Sequence, residues 1–241
     1  MTRVLSSADW GGPALSLIAN NRDLDPLQPV VMYIRHTERQ KVTGLGSHEI
    51  LSTSTGRVVA FEFGSSLPAN HRYRLYHTVV ERAKETAEGI SEGIKVQGGS
   101  AQVAGEFPFR ASLDPEATDR YLNHNLQRMG DEAAAAIHIT NLWCAGLTPP
   151  ETFRPSGEFA RMVAGFTLSN LKSATPDTVD IYVSHDTWVG CLMFHWFGVP
   201  VHPDGVKFMD GFLLQPNKDD MTVWFRGKRN LFEYPHWWRQ L

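Results

Sequence analysis

The sequence predicts an α/β fold: a three-layer sandwich in which a central, mainly parallel sheet carries helices on both faces and a helical cap. Three observations predict it. The runs Val30–Ile34 and Val179–Ser184 have the continuous apolar and β-favouring character of strands buried on both faces. Between such strands the apolar period switches to that of helices, which is the alternation of an α/β sandwich. The stretch from Arg82 to His185, about a hundred residues, is mostly helical in pattern and longer than a crossover needs. One domain over residues 1–241 is therefore expected, with a cap insertion roughly within 95–165.

The elements follow in order. Leu15–Ile18 starts a short helix, and Asp23–Pro29 links it to the first strand. Lys41–Ser47 is a glycine-containing loop. Ser52–Pro68 reads as a helix with Val59, Ala60, Phe63 and Leu67 on one face, Ser52 or Thr53 as its cap and Pro68 as its stop. Gly56 and Gly64 weaken that helix, so they mark close packing against the sheet. Tyr73–Tyr76 is a second strand. A helix follows from Thr78 with Val80, Ala83, Ala87 and Ile90 on one face, broken by Gly93 and then Gly98-Gly99.

Residues 100–113 fit no clear period and lie between extended chain and loop. Asp114-Pro115 opens a helix, with Asp as cap and Pro in the first turn. The Ala-rich run Glu116–Trp143 is one or two helices, interrupted near Gly130. Phe159, Val163 and Phe166 give helical spacing again, ending before Pro176. Thr187–Phe197 reads as a helix closed by Gly198 and Pro200. Phe212–Leu214 and Met221–Phe225 form a hairpin. Trp237 and Trp238 have three open roles: closing the core, lining the cap or forming a homodimer contact.

Composition narrows the function classes. The net charge is −3 over 241 residues, so no basic excess argues for nucleic acid, and any positive patch is local. Cys144 and Cys191 are the only cysteines. They offer no ligand spacing and no disulfide framework, which suits a reducing, cytoplasmic setting. There is no charged-then-apolar leader and no apolar run long enough for a bilayer, so no membrane partner is expected.

The chemistry gathers where strands end. The first strand runs into Arg35-His36-Thr37-Glu38-Arg39, and the later one into His185-Asp186. In a parallel sheet both carboxyl ends share one edge, where ligands bind, so His36 and His185 are expected to meet. Arg82, in the first turns of a helix after a strand, faces the same edge. Three guanidiniums around two imidazoles suit a phosphate, whose oxygens match guanidinium forks bidentately.

These residues carry a family resemblance. Arg35-His36-Thr37-Glu38-Arg39 resembles the Arg-His-Gly-x-Arg signature of the histidine phosphatase superfamily, the histidine acid phosphatase and phosphoglycerate mutase-like proteins. Leu51–Gly56, with Ala60 and Gly64, is similar to the helix after that signature. Thr78–Ala87 resembles its second block, whose arginine holds phosphate, and Ser184-His185-Asp186-Thr187 resembles the His-Asp block of the acid phosphatase branch. The four blocks keep their order across most of residues 30–198. The resemblance implies a phosphoglycerate mutase-like fold and a metal-independent phosphomonoesterase acting on a small phosphorylated metabolite, without cofactor. It implies His36 as nucleophile, Arg35, Arg39, Arg82 and His185 around the phosphoryl oxygens, and Asp186 as proton donor.

Three departures qualify it. Thr37 replaces the signature glycine beside the phosphate site. Trp188 replaces an asparagine and places an aromatic wall there. Glu106 stands as an alternative proton donor, because the other branch takes its acid from the region after the second block. Gln40-Lys41-Val42 lacks the Trp-Asn block of the mutases, which disfavours mutase activity. Simpler roles remain open: Asp186 as a cap for the next helix, and His195 as packing. A metal cluster of His36, His185, His195 and His202 fits no zinc spacing. Two other functions also stay open, a silent phosphate-binding or interaction protein and a recruited non-phosphatase enzyme.

Overall fold

Val30–Arg35 forms the central strand β1, and its side chains alternate between two cores. Met32 and Ile34 enter one cluster, Val31 and Tyr33 the other. Both faces of this strand are therefore dry, which is why its sequence is continuously apolar. The computed structural model describes residues 4–22, 24–25, 27–41 and 50–241, so the expected loop Lys41–Ser47 falls, beyond Lys41, outside the described residues.

Around β1 the chain forms α1 (Val4–Ser7), α2 (Gly11–Asn20), α3 (Ser54–Gly64), β2 (Arg72–His77), α4 (Glu81–Val96), β3 (Ser100–Glu106), α5 (Pro115–Met129), α6 (Glu132–Cys144), α7 (Ser156–Lys172), β4 (Thr178–Ser184), α8 (Asp186–Phe197), β5 (Gly211–Pro216), β6 (Asp220–Phe225) and β7 (Lys228–Glu233), then a 3-10 turn over His236–Gln240. The sheet order is β3-β2-β4-β1-β5-β6-β7. The first four strands are mutually parallel, and β5, β6 and β7 continue antiparallel. Helices α3 and α4 cover one face through Val59, Phe63, Ala83, Ala87 and Ile90. Helices α7 and α8 cover the other through Phe159, Val163, Val189 and Leu192. Trp238 is buried in that second core with its ring 5.1 Å from Trp196, so the terminal tryptophans close the core.

This topology places a crevice. β1 and β4 are neighbours, yet the helices that follow them, α3 and α8, leave to opposite faces. Their carboxyl ends are thus a switch point, the place where open α/β sheets bind ligands. The register pairs Arg35 with Ser184, so His36 and His185 emerge side by side. One layer below, Tyr76, Tyr182, Tyr33 and Phe212 occupy facing positions on β2, β4, β1 and β5. Their rings stack at 5.0, 4.5 and 5.5 Å. This aromatic ladder ties the four strands together beneath their ends at the crevice.

Several expectations are refined. Thr53 caps α3, accepting from the Gly56 amide, and Asp114 caps α5. Gly56 and Gly64 do mark close approaches, but not to the sheet: a Cβ at Gly64 would lie 2.1 Å from the Ile90 carbonyl oxygen of α4, and one at Gly56 2.4 Å from the Glu38 carbonyl oxygen. Gly93 does not break α4. It lies inside the helix, where a Cβ would come 2.1 Å from the Phe61 carbonyl oxygen of α3. The two helices touch backbone to backbone there. Gly93→Ala is therefore expected to destabilise the fold by about 1–3 kcal/mol, because the helices must separate. Gly12→Ala, a position in α2 with nothing within 4 Å of its Cβ, serves as the control that does not destabilise. Urea unfolding midpoints of the two variants check this.

Candidate active site

A cavity of ≈ 210 Å³ opens at the carboxyl edge of β1, β2 and β4. Its lining brings together Arg35, His36, Arg39, Arg82, His185, Asp186 and Trp188 from three separate stretches of chain. The imidazoles of His36 and His185 lie 5.6 Å apart, centre to centre. α5 and α6 reach the same edge and supply Leu122, Glu132 and Ile139 to the lining.

His36 is 3% exposed and its tautomer is fixed by its neighbours. Nδ1 lies 2.7 Å from the Thr37 carbonyl oxygen, which only accepts, so Nδ1 carries the proton. The Arg82 Nε–H donates to Nε2 at 3.0 Å, so Nε2 presents its lone pair. Burial pushes the His36 pKa well below its ordinary value, and Arg82, Arg35 and His185 push it the same way. The ring is neutral near pH 7, with its basic nitrogen toward the guanidiniums.

The arginines are held differently. Arg35 Nη1 donates to the Val206 carbonyl at 2.7 Å, and its Nη2 lies 3.1 Å from Asp186 Oδ2. Its guanidinium sits 4.2 Å from the centre of the Phe208 ring. Its Nε is buried without a hydrogen-bond partner. An orphaned buried donor costs stability, and a ligand oxygen would remove that cost. Arg39 pairs with Glu132 of α6. Burial, with Arg39 and Arg35 nearby, pushes Arg82 down to about 10, so it stays cationic at neutral pH.

Asp186 is the first residue of α8, after the capping position at His185, and its two oxygens have different partners. Oδ1 accepts from the Thr187 amide at 2.8 Å in the first turn of α8, while Oδ2 faces Arg35. Burial raises its pKa, but Arg35, the Thr187 amide, His185 and Arg39 together outweigh burial and hold it below the ordinary carboxylate value. Trp188 walls the site, its ring 5.6 Å from His185 and packed against Phe107, Phe109 and Phe159.

Two candidates are placed elsewhere. Thr37 is fully buried: its hydroxyl donates to the Gly56 carbonyl and its amide to Thr86 Oγ1, so it shapes the loop rather than lining the cavity. Glu106 is exposed at the end of edge strand β3 and is not among the cavity-lining residues, because strand register pairs it with His77, outside the lining too. His195 contacts Ser156 on α7 and is absent from the lining.

Four residues at the site were not anticipated. Thr78 Oγ1 lies 3.2 Å from His185 Nε2. Its signal was its position just after β2, one strand over from His185. Phe208 lies under Arg35, Asp119 comes from α5 and Glu132 from α6. No local pattern marks these three. β2 also ends in a histidine: His77 Nδ1 lies 2.8 Å from the Thr78 carbonyl, as His36 does from Thr37.

No family model matches the chain, and no curated protein matches it in sequence. Solved structures do. The chain is similar to the mycobacterial glucosyl-3-phosphoglycerate phosphatase in complex with VO3, over 86% of this chain and 99% of that one, with a TM-score of 0.57 at 15% identity. A mycobacterial hydrolase matches over 85% and 97% with a TM-score of 0.53 at 13% identity. A structure from Escherichia coli attributed to an alpha-ribazole-5'-P phosphatase matches over 85% and 96% with a TM-score of 0.51 at 18% identity. With its sheet order, its helices on both faces and these likenesses, the chain has the phosphoglycerate mutase-like fold.

Proposed function

We propose that the protein is a phosphomonoesterase that transfers a phosphoryl group from a small organic phosphate to His36 and then to water. One observation carries this reading: a buried, neutral imidazole with a fixed Nε2 lone pair stands among three guanidiniums, one of which holds an unpartnered donor. That is a nucleophile beside a preformed oxyanion cradle. The similar folds include proteins named as phosphatases, which supports the same class of reaction.

The steps follow from the contacts. Phosphate oxygens attract Arg82 away from His36 Nε2, which frees the lone pair for in-line attack on phosphorus. A bond forms between Nε2 and phosphorus while the phosphorus–oxygen bond to the alcohol breaks. The charge that develops on the equatorial oxygens falls to Arg35, Arg39, Arg82 and His185. The leaving oxygen needs a proton, and Asp186 stands beside His185 to supply it. A phosphate dianion next to Asp186 opposes the pull of Arg35 and raises the carboxyl toward a protonated form. In the second half Asp186 takes a proton from water, whose oxygen attacks phosphorus and releases His36. The guanidiniums supply the positive charge, so no metal is required.

Purified protein is expected to release phosphate from an aryl phosphate in the presence of EDTA, through an acid-labile, alkali-stable phosphoprotein. Because the His36 pKa lies below 6.5, the imidazole stays unprotonated as the pH falls through that value. The acid limb of kcat/KM for this group is therefore expected below pH 6.5. A limb at or above 6.5 that disappears with the histidine would contradict it.

A second reading has its own support. With Asp186 held ionised against Arg35 and Arg82 seated on His36 Nε2, the site also suits a protein that binds phosphate without cleaving esters. Phosphate that raises the melting temperature, with no turnover of any ester, would favour it.

A further inference from the structure

The phosphate cradle takes up one end of the cavity, and the remaining walls have a different chemistry. Val79, Phe109, Leu122, Ile139, Phe153 and Trp188 line it with aromatic and aliphatic carbon. Four of these, Val79, Phe109, Leu122 and Phe153, are only partly buried, so the cavity leaves apolar surface in contact with water. A cavity of about 150 Å³ lined by such side chains holds a benzene ring. The ≈ 210 Å³ here has room for a ring-sized or branched group beside a phosphoryl group.

The charges point the same way. Among the described lining residues, Arg35, Arg39, Arg82 and Arg110 face Asp119, Glu132 and Asp186. Four positive and three negative charges leave +1, apart from the imidazoles. Arg39 is committed to Glu132 and Arg35 to Asp186. One phosphate dianion already turns this balance to −1. A second anionic group on the substrate would meet Asp119 and Glu132, with only exposed Arg110 as an additional cation. Like charges within one cavity disfavour binding.

We propose that the cavity selects phosphate monoesters of uncharged, apolar alcohols, aromatic or branched, and rejects esters that carry a further carboxylate or phosphate. This rests on the phosphatase reading for its turnover but not for its recognition, so binding alone can test it. The probes are non-hydrolysable: methylphosphonate, benzylphosphonate and 2-carboxyethylphosphonate, titrated calorimetrically into the full chain. Each buried carbon contributes up to about fourfold in affinity. Benzylphosphonate is therefore expected to bind at least about tenfold tighter than methylphosphonate, and 2-carboxyethylphosphonate no tighter than methylphosphonate. Leu122→Asn, a neutral change at a partly buried helix position, is expected to reduce the benzyl advantage while methylphosphonate affinity changes less than about twofold.

Equal affinities for the benzyl and methyl probes, or tighter binding of the carboxylate probe, overturn the proposal even if aryl phosphates are hydrolysed. A clear benzyl preference with no ester cleaved upholds the recognition and instead overturns the phosphatase reading. If none of the probes and no inorganic phosphate binds, both fall.

Discussion

His36→Ala is expected to lower kcat for an aryl phosphate by a factor on the order of 10⁴ or more, while the protein stays folded and still binds inorganic phosphate. The size of the effect follows from covalent catalysis. Without Nε2 there is no phosphoprotein, and water must attack the ester directly. Arg35, Arg39 and His185 remain in place, so the oxyanion cradle keeps most of its charge. The fold has reason to tolerate the change. A buried imidazole with a depressed pKa holds fewer protons than in the unfolded chain, so its contribution to stability is lost as the pH falls from 6.5 toward its folded value. Removing it should make the acid side of the stability profile shallower. Phosphate release in the variant, phosphate binding by calorimetry and melting curves at several pH values check the three parts. Intact turnover would rule out the phosphohistidine route.

Arg35→Ala is expected to lower kcat/KM by about 10²–10³ and to weaken phosphate binding, in contrast to the histidine variant. Among the described cavity-lining arginines, Arg35 alone has a buried, unpartnered Nε, and it also spans the Val206 carbonyl, Asp186 and the Phe208 ring. Its loss removes a cradle donor and strips Asp186 of its strongest opposing charge. The Asp186 carboxyl, lowered chiefly by Arg35 against the pull of burial, should then rise toward its ordinary value. Any limb of the pH–rate profile that reports Asp186 should move to higher pH. Arg35→Lys restores charge without the planar fork, so it should recover part of the phosphate affinity but not the two-point geometry. A kcat/KM within a few-fold of the parent in Arg35→Ala would remove this residue from the phosphoryl site.

The central elements were legible because their local and tertiary requirements agree. β1 and β4 are buried on both faces, so their apolar runs stand out, and each runs straight into a histidine. Asp114 and Gly130 mark the ends of α5 by side-chain capping and by a left-handed residue, both written locally. β7 was not legible: Lys228–Glu233 is an edge strand with nearly every residue exposed, so it carries no hydrophobic period. Gly93 was misread for the opposite reason. Its low helix propensity is a local fact, but its place inside α4 is decided by the backbone of α3.

By itself the sequence determined the α/β alternation, the two strands that end in histidine and the cluster of guanidiniums beside them, because these depend on neighbours along the chain. Only the tertiary structure decided that Arg82 holds His36 Nε2, that Arg35 has a buried Nε without a partner, that Glu106 sits away from the cavity and that α5 and α6 bring apolar walls and acidic groups to the cavity. Those facts arise where segments distant in sequence meet at the switch between the two helical layers, and no local pattern encodes which side chains meet there.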